Sequence, residues 1–267
     1  MSEHAPERVD PAEVVNEWTW PAVDVRSDAR VGDGVYVLVE DIGEARGWID
    51  VQGLPASEAL DWAEGRLREK GGQRAFTGGW STNEGLLAAL ETRGYRRTRS
   101  SWRMEVSLEA APPEPWSPDG IEIRPMRTGE EQVAYHVHQE AFEDTWEPIH
   151  WSYEEWTHAY VEPSHFERGL WFLAWDGPDP CGVAICRRHS TALDLGWVAV
   201  LGVRRDWRRR GIGHALLSYA FDAFVRRRLA RAGLGVDSES PTGANALYED
   251  VGMSSTSRFD IYERALA

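Results

Sequence analysis

The sequence predicts a mixed α/β fold in two related halves, and two observations lead to that prediction. The second half alternates short apolar strands with amphipathic helices, an order typical of α/β domains. The segment 110–120 carries four prolines, which neither continue a helix nor fit an inner strand, so it marks a boundary. We therefore predict a first domain at 1–111, a proline-rich linker at 112–119 and a second domain at 120–267.

Composition limits the kinds of protein that this chain can be. With 267 residues and 42% hydrophobic residues, it is long enough for one large or two small domains with real cores. Its formal net charge of −15 disfavours general binding to nucleic acids and favours cationic small molecules such as amines. No stretch approaches the ~18 apolar residues of a membrane span, and the acidic start has no apolar signal-peptide core. We expect a cytoplasmic monomer or homodimer without membrane or nucleic-acid partners.

The elements of the second half follow from hydrophobic periodicity and turn residues. Strands are predicted where alternating or continuous apolar residues lie between turn residues, and helices where apolar residues recur every three to four positions. The predicted strands are 121–124, 170–175, 181–187, 195–203, 232–236 and 258–265, and the predicted helices are 130–143, 151–160, 214–229 and 243–250. A strand–loop–helix unit therefore lies at the centre of the predicted sheet.

The first half contains a weaker copy of the same ending. The predicted elements are helices at 59–69 and 83–91 and strands at 75–78 and 101–108. The six residues Leu90–Tyr95 align with Tyr248–Met253 at an offset of 158, and the order helix, strand, helix, strand matches. We interpret this match as a tandem duplication whose first copy is shortened and degenerate, and an unrelated α/β cap is the alternative.

The strongest local signal is a glycine turn between the strand 195–203 and the helix that follows it. Gly211 and Gly213 let the backbone approach a ligand closely, and free N–H groups at a helix N-terminus bind anions. The segment from Arg204 to Arg231 holds nine arginines and two acids, which makes it a basic island in an acidic chain. Arginine carries charge of the sign that phosphates require. The sequence therefore predicts a pyrophosphate site at the start of this helix.

Three better-known phosphate loops do not match this turn. A Walker loop needs Gly-Lys-Ser/Thr, which the chain lacks, and a dinucleotide fingerprint needs a third glycine where Leu216 stands. The kinase set of a strand lysine, HRD and DFG is also missing. The pattern Arg/Gln-x-x-Gly-x-Gly/Ala does match, from Arg208 to Gly213.

With this loop the second half resembles the GCN5-related N-acetyltransferase (GNAT) superfamily, over about residues 120–267. The segment Asn245–Met253 is similar to a shortened form of that family's Asn-x-x-Ala-x-x-x-Tyr-x-x-x-Gly-Phe region. The tandem arrangement looks most like the mycothiol synthase group, which pairs a degenerate first copy with an active second one. The resemblance implies a tandem GNAT fold and direct transfer of an acetyl group from acetyl-CoA to a primary amine of a small, cationic molecule.

The resemblance also implies which residues hold acetyl-CoA. Backbone groups of Leu201, Gly202 and Val203 are expected to bond the pantetheine arm and the thioester carbonyl, and Asn245 to contact the arm. Tyr248 is expected to protonate the departing thiolate, because a phenol with a pKa near ~10 suits a thiolate of similar basicity. The residues expected to wrap the pyrophosphate are Arg208, Arg209, Arg210, Gly211, Ile212, Gly213 and His214.

The general base is where the sequence departs from the family. Many members carry a glutamate on the strand that leads to the loop, but residues 196–200 include no carboxylate. Asp194 is the nearest acid and is the first candidate. The alternatives are a chain of water molecules or one of four residues near the early helices, namely His138, Glu143, Asp144 and His150.

The acceptor pocket is expected to be acidic and aromatic. The chain has 14 tryptophans, and several cluster in the region that lines the acceptor pocket in the family. Aromatic faces bind cations, and carboxylates attract an ammonium group, while core packing is the alternative explanation for the same tryptophans. The predicted acceptor residues are Glu143, Asp144, Trp146, Trp151 and Trp156.

Other functions remain open at the level of the sequence. A non-catalytic acyl-CoA-binding module would keep the loop without the chemistry, and a protein-interaction adaptor would use the arginine-rich surface without a nucleotide. No metal site is expected, because Cys181 and Cys186 lie an odd number of residues apart on a strand and face opposite sides. The first copy is not expected to catalyse, because Gly53–Glu58 stands in place of the loop and Leu90 in place of Tyr248.

Overall fold

Two compact units make up the chain. The computed structural model describes residues 24–32, 35–53, 56–109, 114–145, 150–162, 166–189, 192, 194–240 and 243–266. One unit comprises Met1–Ser100 with Phe259–Ala267, and the other comprises Ser101–Arg258. This division differs from the predicted domains 1–111 and 120–267, because it falls ahead of the proline-rich linker and because the end of the chain belongs to the first unit.

The first unit is a mixed sheet with helices that follow its strands. Its strands are β1 (Ala29–Gly32), β2 (Val35–Gly43), β3 (Arg46–Gly53), β4 (Arg74–Trp80) and the end of β11 (Ser254–Ala265), and its helices are α1 (Val25–Asp28), α2 (Ala56–Glu69) and α3 (Glu84–Thr92). The strand order is β1-β2-β3-β4-β11, with β3 and β4 parallel and the other neighbours antiparallel. Fully buried Ile49, Leu60, Leu67 and Leu90 pack the two longer helices onto the sheet.

The β2–β3 hairpin was not predicted from the sequence, and its turn explains the omission. Glu44 and Ala45 connect the strands with φ angles of 52° and 56°. Two successive left-handed residues are typical of a type I′ turn, for which Asn-Gly is the usual signal. Because Glu-Ala is not such a signal, the residue types at this turn do not predict a hairpin.

The second unit is a six-stranded mixed sheet with helices on both faces. Its strands are β5 (Arg96–Ser107, from Ser101), β6 (Ile121–Pro125), β7 (Trp171–Asp176), β8 (Asp179–Arg188), β9 (Leu195–Val203) and β10 (Arg231–Asp237), and its helices are α4 (Glu131–Phe142), α5 (Tyr153–Tyr160), α6 (Ile212–Arg226) and α7 (Ala244–Asp250). The order is β5-β10-β9-β8-β7-β6, and only β9 and β10 are parallel. The elements predicted for this half are confirmed to within a few residues.

Glycines on β9 let both faces of the sheet pack closely. A Cβ atom on Gly196 would lie 2.4 Å from the ring of Phe224, which is fully buried on α6. On the opposite face, a Cβ atom on Gly202 would lie 2.8 Å from the Cβ of Ala141 on α4. The first contact packs the last turn of α6 against the start of β9, and the second packs the end of α4 against the end of β9.

The last strand of each sequence half pairs outside that half. β5 follows α3 along the chain, yet its residues Ser101–Ser107 pair antiparallel with β10. β11 follows α7, yet its residues Phe259–Ala265 pair antiparallel with β4. This exchange explains why the units are not continuous segments of the sequence. Among the described helices, none is long and apolar enough to cross a membrane.

Candidate active site

A cleft opens where β9 and β10 separate. The two strands pair only from Leu195–Val198 to 231–234, although β9 continues to Val203 and β10 to Asp237. Their other edges are bonded to β8 and β5, so the separated stretches face each other across a gap. A cavity of about 450 Å³ fills this gap, a size typical of small-ligand sites.

The loop and helices after the two strands complete the cavity. Its walls come from β9, β10, the loop before α6, the first turn of α6, and α7. The predicted residues that line it are Leu201, Gly202, Val203, Arg208, Arg209, Gly211, Ile212, Gly213, His214 and Tyr248. Phe142 and Thr145, which the sequence did not indicate, also line it from the end of α4.

The two glycines of the loop serve different geometric needs. Gly211 caps α6 with a φ of 78°, a left-handed conformation that residues with a Cβ adopt at a cost. Gly213 lies against α7, since a Cβ atom there would be 3.1 Å from the side chain of Leu247. The first N–H groups of α6 have no acceptor within the helix, and they belong to residues that line the cavity. This arrangement can bind an anion.

The arginine side chains of the loop are held mostly by protein groups. Arg208 donates to the carbonyl oxygens of Val203 and Ala141, both at 3.1 Å, and to the carboxylate of Asp144 at 2.8 Å. Arg210 donates to Asp176 at 2.9 Å. The guanidinium of Arg208 therefore ties the loop to the end of α4 and β9. The basic island is partly neutralised, which leaves anion binding chiefly to backbone N–H groups.

Arg209 lines the cavity from the side of the loop that faces α7. Its φ of 64° places a non-glycine residue in the left-handed region. Its guanidinium lies 3.5 Å from where a Cβ atom of Gly243 would be, at the start of α7. Its side chain therefore reaches from the loop toward α7.

Asp144 and Glu143, both predicted to contact an acceptor, have different environments. Asp144 bonds Arg205 and Arg208, and these two hydrogen bonds hold its pKa below the usual range. Its carboxylate is thus committed to the loop rather than to a ligand ammonium. Glu143 follows the last residue of α4 and is exposed. Trp146 lies outside the described residues.

Tyr248 has the environment of a neutral proton donor. Its side chain is 7% exposed and lines the cavity from α7. Burial raises the pKa of its hydroxyl to about 12, so the phenol is protonated at neutral pH. Among the described residues, no protein group makes a hydrogen bond with this hydroxyl, which leaves it available to a ligand in the cleft.

Asn245 and His214, both predicted to contact the cofactor, differ in their position relative to the cavity. The amide of Asn245 donates to the carbonyl oxygens of Asp237 and Ser238 at 3.3 and 3.2 Å, and the residue lies beside the cavity rather than on its wall. It therefore ties α7 to the end of β10. His214 lines the cavity, and its Nδ1 is buried without a hydrogen-bond partner among the described residues. An unpartnered buried nitrogen at the start of α6 suits a ligand oxygen.

The geometry argues against Asp194 as the general base. It precedes β9, at the opposite end of the strand from the cleft, and it does not line the cavity. Arg231 donates to both of its oxygens at 3.0 and 2.9 Å. These bonds hold the pKa of Asp194 below its usual range, so the carboxylate is a weak proton acceptor as well as a distant one.

His138 is also unsuited to the role of base. The indole Nε1 of Trp156 donates to its Nδ1 at 2.9 Å, which fixes the neutral ring with its proton on Nε2. Burial lowers the pKa of His138 to about 4. Its Nδ1 accepts from the indole and its Nε2 carries the proton, so neither nitrogen is open to take the proton of an amine. His150, the last of these candidates, is exposed.

The predicted aromatic wall is part of the core instead. Trp156 is fully buried and does not line the cavity, so its predicted contact with an acceptor is wrong. Trp151 is partly buried, with its ring 5.3 Å from that of Tyr160 and 6.1 Å from that of His138. Core packing, the alternative in the sequence analysis, accounts for both tryptophans. Among the described residues, no group of histidine, cysteine or acidic side chains could hold a metal ion.

Comparisons of sequence identify relatives of this chain. Residues 132–253 match the family model described as Acetyltransferase (GNAT) family. The mycothiol acetyltransferase of Geodermatophilus obscurus is 31% identical over 198 residues, which are 71% of this chain and 63% of that protein. The mycothiol acetyltransferase of Salinispora arenicola is 34% identical over 184 residues, 64% of this chain and 57% of that protein. The chain thus spans less than two thirds of the length of these relatives.

Comparisons of structure cover nearly the whole chain. A GCN5-related N-acetyltransferase from Sphaerobacter thermophilus has a TM-score of 0.77 and 25% identity, over 97% of this chain and 86% of that one. A tandem GNAT protein from the clavulanic acid biosynthesis pathway has a TM-score of 0.73 and 12% identity, over 98% and 90%. At 12% identity the second likeness concerns the fold alone. Together they confirm the predicted mixed α/β, tandem GNAT fold.

Proposed function

We propose that the protein is an acetyl-CoA-dependent N-acetyltransferase acting on a primary amine of a small molecule, since residues 132–253 match the family model described as Acetyltransferase (GNAT) family. The observation that carries the proposal is the cleft between β9 and β10, which ends at a glycine-capped helix N-terminus and is lined by a buried tyrosine whose hydroxyl has no hydrogen-bond partner among the described residues. Each part of this arrangement suits one part of acetyl-CoA.

The start of α6 suits the pyrophosphate. Backbone N–H groups of Ile212, Gly213 and His214 lie at the cavity, and the helix dipole favours negative charge there. The Nδ1 of His214, which has no hydrogen-bond partner in the described part of the chain, and the guanidinium of Arg209 offer further polar contacts. A Cβ atom on Gly213 would narrow the gap between this turn and Leu247.

The separated strands suit the pantetheine arm. That arm is an extended chain with two amide groups, so it can bond to the edge of a strand as another strand would. Residues Leu201, Gly202 and Val203 present such an edge on β9. The thioester, at the end of the arm remote from the phosphates, would then lie toward Val198, where the strands rejoin.

Tyr248 supplies the proton for the leaving group. Acetyl-CoA brings an activated acetyl group as a thioester, and its transfer to an amine releases a thiolate that needs a proton. The hydroxyl of Tyr248 is protonated at neutral pH, and burial, which raises its pKa to about 12, keeps it so at higher pH. Since no protein group competes for this hydroxyl among the described residues, it can donate to the sulfur.

Solvent water, rather than a side chain of β9, takes the proton of the amine. No residue from Leu195 to Val203 has an ionisable side chain. Asp194 and His138 are engaged by Arg231 and Trp156. The rate at low amine concentration should therefore rise with pH toward the pKa of the acceptor amine, without a second inflection from an enzyme carboxylate.

The relatives and the charge of the chain guide the choice of acceptor. Two of them are named mycothiol acetyltransferase, so the amine that those enzymes acetylate is the first acceptor to test. The net charge of −15 favours cationic amines in general. The acceptor panel should therefore contain that amine together with polyamines and aminoglycosides.

The test is release of free CoA thiol from acetyl-CoA in the presence of each amine, followed by mass spectrometry of the product. Acetylated amine from the wild-type protein, with the rate strongly reduced in Tyr248→Phe, is the expected result. Binding of acetyl-CoA without turnover on any amine would indicate an acyl-CoA-binding module instead. No binding at all would contradict both and leave the protein-interaction function.

A further inference from the structure

An exposed tryptophan in the linker lies next to the phosphate loop. Trp116 is 40% exposed, and an atom of its ring lies 3.1 Å from where a Cβ atom of Gly211 would be. Its ring centroid is 5.7 Å from that of His214, on the first turn of α6. Gly211 and His214 both line the cavity, so Trp116 borders the site without filling it.

We propose that Trp116 is the stacking surface for the purine base of the bound nucleotide. This proposal rests on the proposed function, because it requires the pyrophosphate of acetyl-CoA at the start of α6. In acetyl-CoA a single ribose separates the adenine from the pyrophosphate. The base therefore lies close to whatever holds the phosphates, and an aromatic face beside that loop is within its reach.

The segment around Trp116 is fixed in place. The hydroxyls of Ser117 and Tyr219 form a hydrogen bond of 3.2 Å, which ties the segment to α6. The N–H of Ile121 donates to the carbonyl oxygen of Pro118 at 3.0 Å, and Pro118 also contacts the Gly211 position. A ring that is already held in position costs little entropy when a ligand stacks on it.

Trp80 is an exposed tryptophan in the first unit that serves for comparison with Trp116. It is 42% exposed in the first unit, where its ring packs 5.3 Å from that of Phe259. The loop residues 208–214 belong to the second unit. Trp116 has nearly the same exposure but adjoins that turn, so Trp80 is its matched control.

The experiment compares one ligand that has the base with one that does not. Calorimetric titrations measure the dissociation constants of acetyl-CoA and of S-acetyl-4′-phosphopantetheine, which lacks the 3′-phosphoadenosine 5′-phosphate part of acetyl-CoA, for the wild-type protein and its variants. Stacking of a base on an aromatic side chain corresponds to about 5- to 150-fold in affinity. Trp116→Ala should weaken acetyl-CoA about tenfold or more and leave the truncated ligand within about twofold.

Two further variants separate stacking from support of the loop. Trp116→Leu keeps an apolar contact with Gly211 but has no aromatic face, and should behave like Trp116→Ala. Trp116→Phe should retain most of the affinity, and Trp80→Ala should match the wild type for both ligands.

The outcomes distinguish this inference from the proposed function. Equal weakening of both ligands by Trp116→Ala would mean that the ring only supports the loop, and would overturn the stacking role. Unchanged affinity of acetyl-CoA would overturn it as well, while the proposed function stands. Failure of the wild-type protein to bind acetyl-CoA would overturn the proposed function and the stacking role together.

Discussion

The two units contain the same strand–helix–strand arrangement, and they differ in the chain between strand and helix. In the first, β3 and β4 are parallel over four residue pairs with α2 between them, and in the second, β9 and β10 are parallel over four pairs with α6 between them. From β3 to α2 the chain has only residues 54–55, whereas from β9 to α6 it has residues 204–211. The longer connection contains Arg208–Gly211, the part of the anion-binding loop that precedes α6.

The helices that follow also match in backbone and differ in chemistry. Gly94 and Gly252 end α3 and α7 with φ angles of 83° and 84°, and each donates its N–H three residues back at 2.9 Å. This agreement supports the alignment at an offset of 158. At that alignment Leu90 stands opposite Tyr248, and Leu90 is fully buried in an apolar core. The backbone arrangement is therefore the same in both units, whereas the first unit has a leucine at the position of Tyr248.

In the first unit, the buried polar side chains form hydrogen bonds with one another. Glu64 is 3% exposed and accepts from Arg93, Tyr95 and Arg264. Burial, followed by the charge of Glu64, raises the pKa of Tyr95. A buried tyrosine that bonds a carboxylate is a structural group, whereas the hydroxyl of Tyr248 is left for a ligand. The difference lies in the partners of each tyrosine rather than in its burial.

Replacing a glycine of each unit by glutamate tests the comparison most strongly. Gly211→Glu places a carboxylate at the anion site, next to Trp116, and should weaken acetyl-CoA by at least about 100-fold. Gly71→Glu, at a φ of 85° with nothing within 4 Å of the Cβ position, imposes similar backbone strain in the first unit. Its affinity for acetyl-CoA should equal that of the wild type by calorimetry. Equal losses in both variants would mean that strain, not the anion site, is responsible.

The two buried tyrosines provide a second test. Tyr248→Phe should lower kcat about 100-fold, because it removes the proton donor, and leave the dissociation constant of acetyl-CoA unchanged. Tyr95→Phe should leave kcat unchanged and lower the free energy of unfolding by about 1 kcal/mol, through the lost bond to Glu64. Steady-state kinetics and urea unfolding measure these effects. A wild-type kcat in Tyr248→Phe would remove this residue from the mechanism.

The buried His138–Trp156 pair predicts an acid-sensitive contribution to stability. Burial lowers the pKa of His138 from 6.5 to about 4, so the unfolded chain binds the proton more tightly in that window. Stability is therefore retained above pH 6.5 and lost as the pH falls toward 4. Between pH 7 and 5 the loss should be about 2 kcal/mol, measured by urea unfolding.

The control for this effect is His138→Gln, whose side-chain oxygen can accept from the same indole. That variant should lose about 2 kcal/mol less than the wild type over the same pH range. Parallel pH profiles of the two proteins would show that His138 is already charged in the folded state.

The smallest expected effect concerns the contact that ties the loop to α4. Asp144→Asn weakens the ion pairs with Arg205 and Arg208 and should raise the dissociation constant of acetyl-CoA about threefold. The acceptor KM should not change, because Asp144 is committed to the loop. Glu143→Gln, at the neighbouring exposed position, is the control and should leave acetyl-CoA binding unchanged. A raised acceptor KM in Asp144→Asn would restore its predicted contact with the acceptor.

The sequence alone predicts the structural features that depend on residues close together in the chain. Apolar periodicity gave the strands and helices of the second unit, and the positions of Gly211 and Gly213 indicated the turn that caps α6. The Glu44-Ala45 turn was missed because its conformation is unusual for those residue types. Local signals thus predict elements well when residue type and conformation agree.

The roles of charged and aromatic side chains depend on partners far along the chain. Arg208 is bound by Ala141 and Asp144, and Trp156 by His138, and no spacing rule connects these residues. The exchange of β5 and β11 between the sequence halves is likewise a matter of long-range pairing. For that reason the turn that caps α6 was predicted from the sequence, whereas the engagement of Asp194 by Arg231 and the burial of Trp156 were not.

The most direct test of the account is the stoichiometry of acetyl-CoA binding, measured by calorimetric titration of the full chain. The account predicts one site per chain. The connection from β9 to α6 leads into the anion-binding loop, whereas the connection from β3 to α2 is too short to contain such a loop. Two sites per chain would mean that the first unit also binds the ligand, and would contradict the difference drawn between the units. No site would contradict the assignment of the cleft itself.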